Sequence, residues 1–293
     1  LGHGEAFGWQ GVADIFREHA ALSAFENGGT RDFDIGAWMG IDDAAYDQLA
    51  PFVWPAPVGG RAGGRFFADG GFFHADRRAR FIAVTPRPPE HAPDDAWPIR
   101  LNTGRVRDQW HTMTRTGRAV RLAAHRPEPT LDLHADDAQA SGVGDGDIAE
   151  VVSTWGRATL RVHVTDTVCP GEAFAPMHWT AQLSRAGRIN AAVNPAVDPI
   201  SGQPELKHTP IAVRRVNVAW HGTILARRPI MLPELSYWVR IKGAGHHAYL
   251  LAGEQPVDMA RRTLSAAMRA ANPGPLVEGQ NGNTLAVLAD GRL

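Results

Sequence analysis

The chain has 293 residues, of which 44% are hydrophobic and 21% are charged. This composition is typical of a soluble globular protein with a sizeable core, and the length predicts about two domains. Thirty Lys and Arg residues against 31 Asp and Glu residues give a formal net charge of -1. A balance so close to neutral argues against general binding to nucleic acid or to an acidic membrane surface.

The single cysteine, Cys169, excludes an internal disulfide and a cysteine-based zinc or iron–sulfur site built by this chain alone. The sequence shows no apolar run long enough for a membrane span and no signal-peptide pattern at its start. These features leave the compartment open and are compatible with a reducing cytoplasm. We expect no membrane or nucleic-acid partner. The chain begins at Leu1 without a methionine and ends soon after a strand-like run at 284–288. We expect both ends to be cuts in a longer protein.

The first third predicts helices and then a loop. Apolar residues at three- and four-residue spacing predict an amphipathic helix whose buried face carries Val12, Ile15, Phe16, His19, Leu22 and Phe25. A second short helix is expected after Asp42 or Asp43, ending before Pro51. The glycine-rich stretch 59–64 lacks the Lys-Ser/Thr of a phosphate-binding P-loop, so it predicts a flexible loop. Residues 65–68 and 80–84 are expected to form strands around a hairpin-type connection.

Five prolines between positions 85 and 98 mark the best domain boundary in the chain. Beyond it, short strands are expected at 99–103, 147–153, 158–164 and 172–175, with glycines at the turns between them. In the third strand Leu160, Val162 and Val164 alternate with polar residues, as in a half-buried strand. This pattern predicts compact all-β packing, with a barrel as the expected form.

The last 75 or so residues predict mixed structure. Strands are expected at 237–241 and 247–251. A helix is expected to follow them, with one face formed by Val257, Ala260, Leu264, Ala267 and Ala271. Adjacent histidines at His246 and His247 would point to opposite faces of a strand and have no evident third ligand, so we do not expect a metal site there.

The most informative segment is LNTGRVRDQWHT at 101–112. A strand that runs into Thr-Gly-Arg offers a hydroxyl, an unobstructed amide and a guanidinium fork within three residues, which suits a diphosphate. Trp110 adds a stacking face and His111 adds a donor. The tripeptide alone is weak evidence, because it recurs at Thr116-Gly117-Arg118, where a surface turn is expected.

A second polar group lies downstream, in the stretch 188–210. Asn190 offers an amide with both a donor and an acceptor, Asp198-Pro199 predicts a turn, and Lys207 supplies a cation. Such groups suit a ring system edged with amides and amines. Spacing alone also allows an ordinary polar loop.

The combination of TGRVRDQWHT, Asn190 and DPISGQPELK resembles the C-terminal cofactor-binding domain of the molybdenum bis(molybdopterin guanine dinucleotide) oxidoreductases. Within that family the sequence is most similar to the assimilatory nitrate reductases, with periplasmic nitrate reductases and formate dehydrogenases as relatives. IFREHAALSAFENGGTRDFDIGA and YDQLAPFVWP are similar to the end of the large molybdopterin domain. The resemblance covers at least residues 10–215.

The resemblance implies a mixed α/β and β fold with three parts. Residues 1–90 would be the C-terminal end of an α/β molybdopterin domain, 99–218 a double-psi β-barrel that binds the dinucleotide, and 219–293 a small α+β region. Matched position by position, the implied cofactor-binding residues are Thr103, Gly104, Arg105, Val106, Arg107, Asp108, Gln109, Trp110, His111, Thr112, Asn190 and Lys207. Met177 and His178 would approach the substrate funnel.

The cofactor implied by the resemblance is Mo-bis(molybdopterin guanine dinucleotide), and the implied reaction is reduction of nitrate to nitrite. The implied partners are the remainder of the same chain and an electron donor such as ferredoxin, flavodoxin or an NADH-linked reductase subunit. The cysteines that hold the family's [4Fe-4S] cluster and ligate molybdenum have no counterpart here. We therefore expect no catalytic or metal-ligating residue and no turnover by this chain alone. Cys169 is expected to be a small apolar filler in a packed corner.

Two alternatives stay open. The substrate could be formate or another oxyanion, because a dinucleotide loop does not determine what meets the metal. The chain could also be a stand-alone cofactor-binding or insertion module without turnover. A serine hydrolase is disfavoured, because no G-x-S-x-G nucleophile elbow occurs.

Overall fold

A computed structural model describes residues 2–60, 62–272, 276–281 and 284–289 of the chain. The chain divides into two compact units, Leu1–Pro86 and Arg87–Leu293, and the division falls within the proline-rich segment. Within the described residues, no helix combines the length and the apolar character that crossing a membrane requires.

The first unit contains two α-helices, α1 (Val12–Ala24) and α2 (Asp43–Asp47), and short 3-10 helices at Gly4–Phe7 and Gly36–Trp38. The Asp42 carboxylate accepts a hydrogen bond from the amide of Ala45 at 2.7 Å and so caps α2. This cap satisfies one of the amides that a helix start leaves free. It confirms the helix expected after Asp42 or Asp43.

The buried face of α1 differs from the expected one. Ala13, Ala20 and Ser23 are buried, whereas Val12, Leu22 and Phe25 are 67%, 63% and 64% exposed. Within this unit the following segment lies close to the small side chains, because the amide of Ile35 donates to Ser23 Oγ at 2.9 Å. A Cβ on Gly36 would lie 2.6 Å from that of Ala24. Small size therefore selects this face. The predicted helix is confirmed, whereas the prediction of its buried face was wrong.

The prediction of strands at 65–68 and 80–84 was also wrong. Both segments are irregular, and neither pairs with another strand in the described part of the chain. Phe81 is 99% exposed. A β-prone sequence needs a partner strand to satisfy its backbone groups, and this unit offers these segments none.

The second unit contains a closed barrel of six strands. These are β1 (Ile99–Gly104), β2 (Thr130–Leu133), β3 (Ile148–Val152), β4 (Arg157–Val164), β5 (Glu172–Pro176) and β6 (Thr209–Arg215). Their order around the barrel is β1-β5-β2-β4-β3-β6. The pairs β1·β5 and β2·β4 are parallel, and the other pairs are antiparallel. Two short helices, α3 (Val120–Ala123) and α4 (Ala135–Ala140), lie in the connections.

The barrel interior holds the core that the strand pattern predicts. Leu160 and Val162 of β4 are buried, and Val164 packs against the same cluster, while His163 is exposed. Leu101, Leu131 and Ile211 are fully buried from neighbouring strands. Each such side chain contributes about 1.5–3 kcal/mol on burial. The barrel is thus a packed core rather than a channel.

A five-stranded sheet follows the barrel in the same unit. It contains β7 (Trp220–Ala226), β8 (Tyr237–Lys242), β9 (His247–Gly253), β10 (Leu276–Asn281) and β11 (Thr284–Ala289), in the order β10-β11-β7-β9-β8. Helix α5 (Val257–Ala271) buries Ala260, Leu264 and Met268 in one cluster with Trp220 and Tyr249. This part of the unit therefore contains both strands and a helix.

A buried polar contact joins this sheet to the barrel. The Tyr237 hydroxyl donates to the Glu128 carboxylate at 2.7 Å, and Arg161 pairs with the same carboxylate at 2.9 Å. Burial and the negative charge of Glu128 hold the pKa of Tyr237 well above its usual range. The phenol therefore stays a hydrogen-bond donor.

The surroundings of Cys169 contradict the packed corner expected for it. The thiol is exposed, in the connection between β4 and β5. The turn at Pro170-Gly171 carries the chain over the surface before β5 begins, and Gly171 has a φ of 77°. A surface turn gives its residues no core to fill.

Candidate functional site

The strand pairing brings several connections to one end of the barrel. Gly104 at the end of β1 is in register with Pro176 at the end of β5. Leu101 is paired with Thr209, so the start of β6 reaches the same end. Val152 is paired with Ala212, which places the end of β3 there as well. The segments after β1, β5 and β3 and the segment before β6 therefore share this end.

The end of β1 is bound to the segment that precedes β6. Thr103 is buried, and its hydroxyl donates to the carbonyl of Leu206 at 2.9 Å. The ammonium of Lys207 donates to the carbonyl of Thr103. The two contacts bridge sequence separations of 103 and 104 residues, respectively. They place Lys207 beside the Thr-Gly-Arg segment.

Gly104 allows the backbone to approach its neighbours closely. A Cβ at this position would lie 2.7 Å from Cε2 of Phe174 and 3.8 Å from the Lys207 ammonium. The Gly104 carbonyl accepts a hydrogen bond from the amide of Met177 at 2.9 Å. The glycine is therefore required by packing against β5, and this packing directs the chain outward at Arg105.

Arg105 and Lys207 form a pair of like charges at this end of the barrel. Arg105 is exposed, and its guanidinium lies 5.3 Å from the centre of the Trp110 ring. Within the described residues, neither cation has a carboxylate partner. Partial burial of the ammonium and the nearby Arg105 charge hold the pKa of Lys207 below its usual value. Two neighbouring cations without a counter-charge favour the binding of an anion.

His178 holds the loop between Arg105 and Thr112 in place. The ring is fully buried, Nε2 accepts from the amide of Val106 at 2.9 Å, and Nδ1 lies 2.7 Å from the carbonyl of His111. Because a carbonyl can only accept, Nδ1 carries the proton and the ring is neutral. Burial lowers the pKa of His178, which agrees with this state. Both nitrogens are thus bonded to the loop. A role in a substrate funnel stays a prediction for His178 and for Met177, which packs against the barrel core.

Gln109 supports the loop from inside. It is buried, its amide nitrogen donates to the carbonyl of Leu122 at 3.0 Å, and its amide oxygen accepts from the Thr116 hydroxyl at 2.8 Å. The second Thr-Gly-Arg copy, expected to be a surface turn, is a 3-10 helix at Thr116–Arg118. Its threonine hydroxyl also accepts from the amide of Trp110 at 3.2 Å.

The charged residues of the loop differ in whether they have an ion-pair partner. Asp108 is paired with Arg107 at 2.9 Å and with His125 at 3.1 Å. The hydrogen bond from Arg107 holds the pKa of Asp108 below its usual value. Trp110 is 61% exposed, and His111 has a φ of 42°, which is uncommon for a residue with a Cβ. The charge of Arg107 is therefore paired with the Asp108 carboxylate, whereas the charge of Arg105 has no carboxylate partner among the described residues.

Asn190 lies at the same end of the barrel but on another connection. It is exposed, on the 3-10 helix Ile189–Ala191. This helix packs against the β3–β4 turn, because a Cβ on Gly156 would lie 2.2 Å from the Ala191 carbonyl oxygen. The Ser153 hydroxyl donates to the carbonyl of Ala192 at 2.6 Å. The described contacts do not include one between Asn190 and the Thr103–Thr112 loop.

Asn194 is a site residue that sequence reasoning missed. Its buried side-chain amide donates to the carbonyls of Glu205 and His208 at 3.1 and 2.8 Å, so it fixes the segment that carries Lys207. The turn expected at Asp198-Pro199 is confirmed, because the Asp198 carboxylate accepts from the amides of Ile200 and Ser201. Asn194-Pro195 in the sequence marks a turn but does not show which carbonyls the amide will reach.

The family described as "Molydopterin dinucleotide binding domain" matches residues 99–210. The chain is 41% identical over 254 residues to a nitrate reductase of Klebsiella oxytoca, an alignment that covers 87% of this chain and 29% of that protein. The chain belongs to the molybdopterin oxidoreductase family. The match confirms the resemblance seen in the Thr103–Thr112 segment and places that segment inside the family's dinucleotide-binding domain.

Two more distant relatives carry different names. One is the assimilatory nitrate reductase catalytic subunit of Bacillus subtilis, 28% identical over 71% of this chain and 28% of that protein. The other is a formate dehydrogenase subunit alpha of Methanocaldococcus jannaschii, 27% identical over 74% of this chain and 29% of that protein. This molybdopterin oxidoreductase chain therefore spans less than a third of the length of these relatives.

Proposed function

We propose that the barrel end formed by β1, β5 and β6 binds a guanine dinucleotide arm of a molybdenum cofactor in a nitrate-reducing enzyme. The observation that carries this proposal is the pair of Arg105 and Lys207 beside Gly104, both without a carboxylate partner among the described residues. The nitrate reductase of Klebsiella oxytoca supports the choice of reaction.

The residues present fit the diphosphate of such a cofactor. Arg105 offers a planar fork of donors, Lys207 offers a compact charge, and the loop amides that are not bonded to His178 or Thr116 can donate as well. Each charge-assisted hydrogen bond contributes about 1.5–3 kcal/mol, so two cations would anchor the arm. A bound diphosphate would also relieve the repulsion between the two cations.

The exposed aromatic and amide groups fit the ring ends of the same arm. Trp110 presents an exposed ring on which a purine can stack, next to the Arg105 guanidinium. Asn190 and His111 offer hydrogen-bonding groups from the same end of the barrel. Gln109 would act indirectly, because its amide is already bonded to Leu122 and Thr116.

The strand pairing supports a finer fold assignment. Two parallel pairs, β1·β5 and β2·β4, within a closed six-stranded barrel support a double-psi topology. We assign residues 99–218 to this domain, 1–90 to the end of the large molybdopterin domain and 219–293 to a small accessory region.

When bound, the molybdenum cofactor supplies the oxygen-atom transfer that reduces nitrate to nitrite. In this proposal the chain positions the cofactor, while the molybdenum ligand and a [4Fe-4S] cluster belong to the rest of a longer assimilatory protein. That protein would work in the cytoplasm with ferredoxin, flavodoxin or an NADH-linked subunit as electron donor. Residues 1–293 alone would not turn over nitrate.

Formate oxidation is the second candidate, because a formate dehydrogenase subunit is among the relatives. Metal and pterin analysis of the complete protein, with parallel nitrate and formate assays, separates the candidates. We expect molybdenum, two guanine dinucleotides per metal and nitrate reduction. Formate oxidation without nitrate reduction would support the second candidate. Cofactor binding with neither activity would indicate a binding module.

A further inference from the structure

A second cationic pocket lies beyond the far end of the loop, between the segment after Thr112 and the strands β8 and β9. Its volume is about 240 Å³. The polar and basic residues that line it and enter the argument are Thr112, Thr114, Arg118, Arg240, Lys242 and His247. No Asp or Glu is among the described residues that line it.

The strand register places three of these residues together. Arg240 and Lys242 are two positions apart on β8 and therefore share one face of the sheet. His247 of β9 is directly opposite Lys242. Arg118 lies on the 3-10 helix Thr116–Arg118, and Thr112 and Thr114 lie in the segment just before it. Cationic groups from two separate parts of the chain thus converge.

These charges are not balanced within the pocket. Among the described residues, Arg118, Arg240 and Lys242 form no ion pair with a carboxylate. The ring of His247 responds to them, because burial, followed by the charges of Lys242, Arg240 and His246, lowers its pKa. Like charges in a half-enclosed space are unfavourable unless an anion joins them.

We propose that this pocket is a separate binding site for a phosphate-class oxyanion. A tetrahedral dianion can accept hydrogen bonds from several directions at once. It can therefore meet a guanidinium fork, an ammonium and hydroxyl groups that approach from two sides. A planar monoanion such as nitrate carries less charge and uses fewer of these donors.

The pocket is distinct from the site proposed for the dinucleotide. Arg105 and Lys207 lie where β1 ends and do not line this pocket, and Thr112 is the one residue named for both sites. Met113, which also lines the pocket, is buried and has a φ of 59°. A left-handed backbone is uncommon at a residue with a Cβ. Thr112 and Thr114, on either side of Met113, line the pocket.

Titration of the full chain, free of cofactor, with inorganic phosphate tests the proposal, using isothermal calorimetry and the ring signals of His247 in NMR. We expect saturable binding and a rise in the pKa of His247 when phosphate is bound. Arg240→Gln and Lys242→Gln should each weaken binding at least tenfold. Arg214→Gln is the matched control, because Arg214 is exposed on β6 and does not line the pocket. The phosphate affinity of this variant should stay within twofold of the parent.

Circular dichroism of each variant shows whether its fold is retained. If one of the two pocket variants does not fold, the phosphate affinity of the other still tests the proposal. Absence of saturable phosphate binding, or equal affinity in Arg240→Gln and Arg214→Gln, would overturn the proposal. Guanosine diphosphate distinguishes the two sources of phosphate. If it displaces inorganic phosphate and abolishes the His247 response, the pocket belongs to the dinucleotide and the separate site is wrong. The His247 signals report on this pocket, whereas the molybdenum content of the complete protein reports on the dinucleotide site. Failure here and failure of the proposed function therefore give different results.

Discussion

The ring of His178 accepts a hydrogen bond from the amide of Val106 at 2.9 Å and lies 2.7 Å from the carbonyl of His111 through its other nitrogen. One buried side chain after β5 therefore spans the loop that follows β1. The two strands are parallel neighbours, so the loop and its support emerge at the same end of the barrel. Loop shape thus depends on a residue 67 positions beyond His111.

Replacing His178 by Ala should destabilise the second unit by about 2–4 kcal/mol, because it leaves a buried amide and a buried carbonyl unpaired and opens a cavity. Urea unfolding measures this loss. His178→Gln is the matched variant, since its amide can both donate and accept, and it should recover part of the loss. Equal unfolding free energies for the parent and His178→Ala would show that the two hydrogen bonds do not hold the loop.

The same histidine makes stability depend on pH. Burial lowers its pKa in the folded state below the ordinary value of about 6.5 that applies after unfolding. The unfolded chain therefore binds this proton first as the pH falls, and folding stability decreases with decreasing pH below about 6.5. His208, His221 and His247 have pKa values lowered mainly by burial and act in the same direction. Unfolding free energies measured from pH 8 to 5 should be flat above 7 and then fall.

His178→Gln should make this decline shallower, because it removes one of the protons that the unfolded state takes up. An identical slope in the parent and the variant would contradict the buried neutral ring. An increase in stability as the pH falls from 7 to 5.5 would contradict the direction for all four histidines.

The length and order of several strands were predictable from sequence, but their partners were not. Strands β1, β3, β4 and β5 carry clear alternation or apolar runs bounded by glycine, and each lies within a residue or two of its expected position. Strands β2 and β6 were missed. Thr130–Leu133 is short, and its buried Asp132 is paired with Arg126 at 2.8 Å and lies 3.1 Å from the ring of His163. That pairing depends on tertiary structure.

The candidate site was predictable to a similar extent. Residues 103–112 and Lys207 were recognised by chemistry and resemblance, and the structure brings Thr103 and Lys207 into contact. The supports, His178 and Asn194, were not recognised in that role. Their function lies in which distant backbone groups they reach, and a single sequence does not encode that distance in a readable pattern. The same reason explains α1, whose buried face is chosen by a close backbone contact at Ser23.

Gly156→Ala should displace the 3-10 helix Ile189–Ala191, which carries Asn190. An added Cβ would lie 2.2 Å from the Ala191 carbonyl oxygen, and a backbone atom cannot move aside as a flexible side chain can. We expect a loss of about 1–3 kcal/mol, as for other overpacked positions. Gly144→Ala is the control, because its nearest neighbour would be a carboxylate oxygen at 3.8 Å. Equal melting temperatures for the two variants would contradict the packing of this 3-10 helix against the β3–β4 connection.

The exposed thiol of Cys169 should react in the native protein. We expect modification by a small aromatic disulfide reagent at a rate close to that of the unfolded chain. Cys169→Ser should change the unfolding free energy by less than about 0.5 kcal/mol, as is usual for surface substitutions. A native thiol that reacts only after denaturant is added would restore the packed environment that the sequence suggested.

In the proposed function, Arg105 and Lys207 anchor the dinucleotide. The most direct test is the molybdenum-to-protein ratio of the complete protein, purified as the parent, Arg105→Ala, Lys207→Ala and the control Arg214→Ala. We expect at least a fivefold lower ratio in each of the first two variants, with unchanged far-ultraviolet circular dichroism and a parental ratio in Arg214→Ala. A parental molybdenum ratio in both Arg105→Ala and Lys207→Ala would contradict the account.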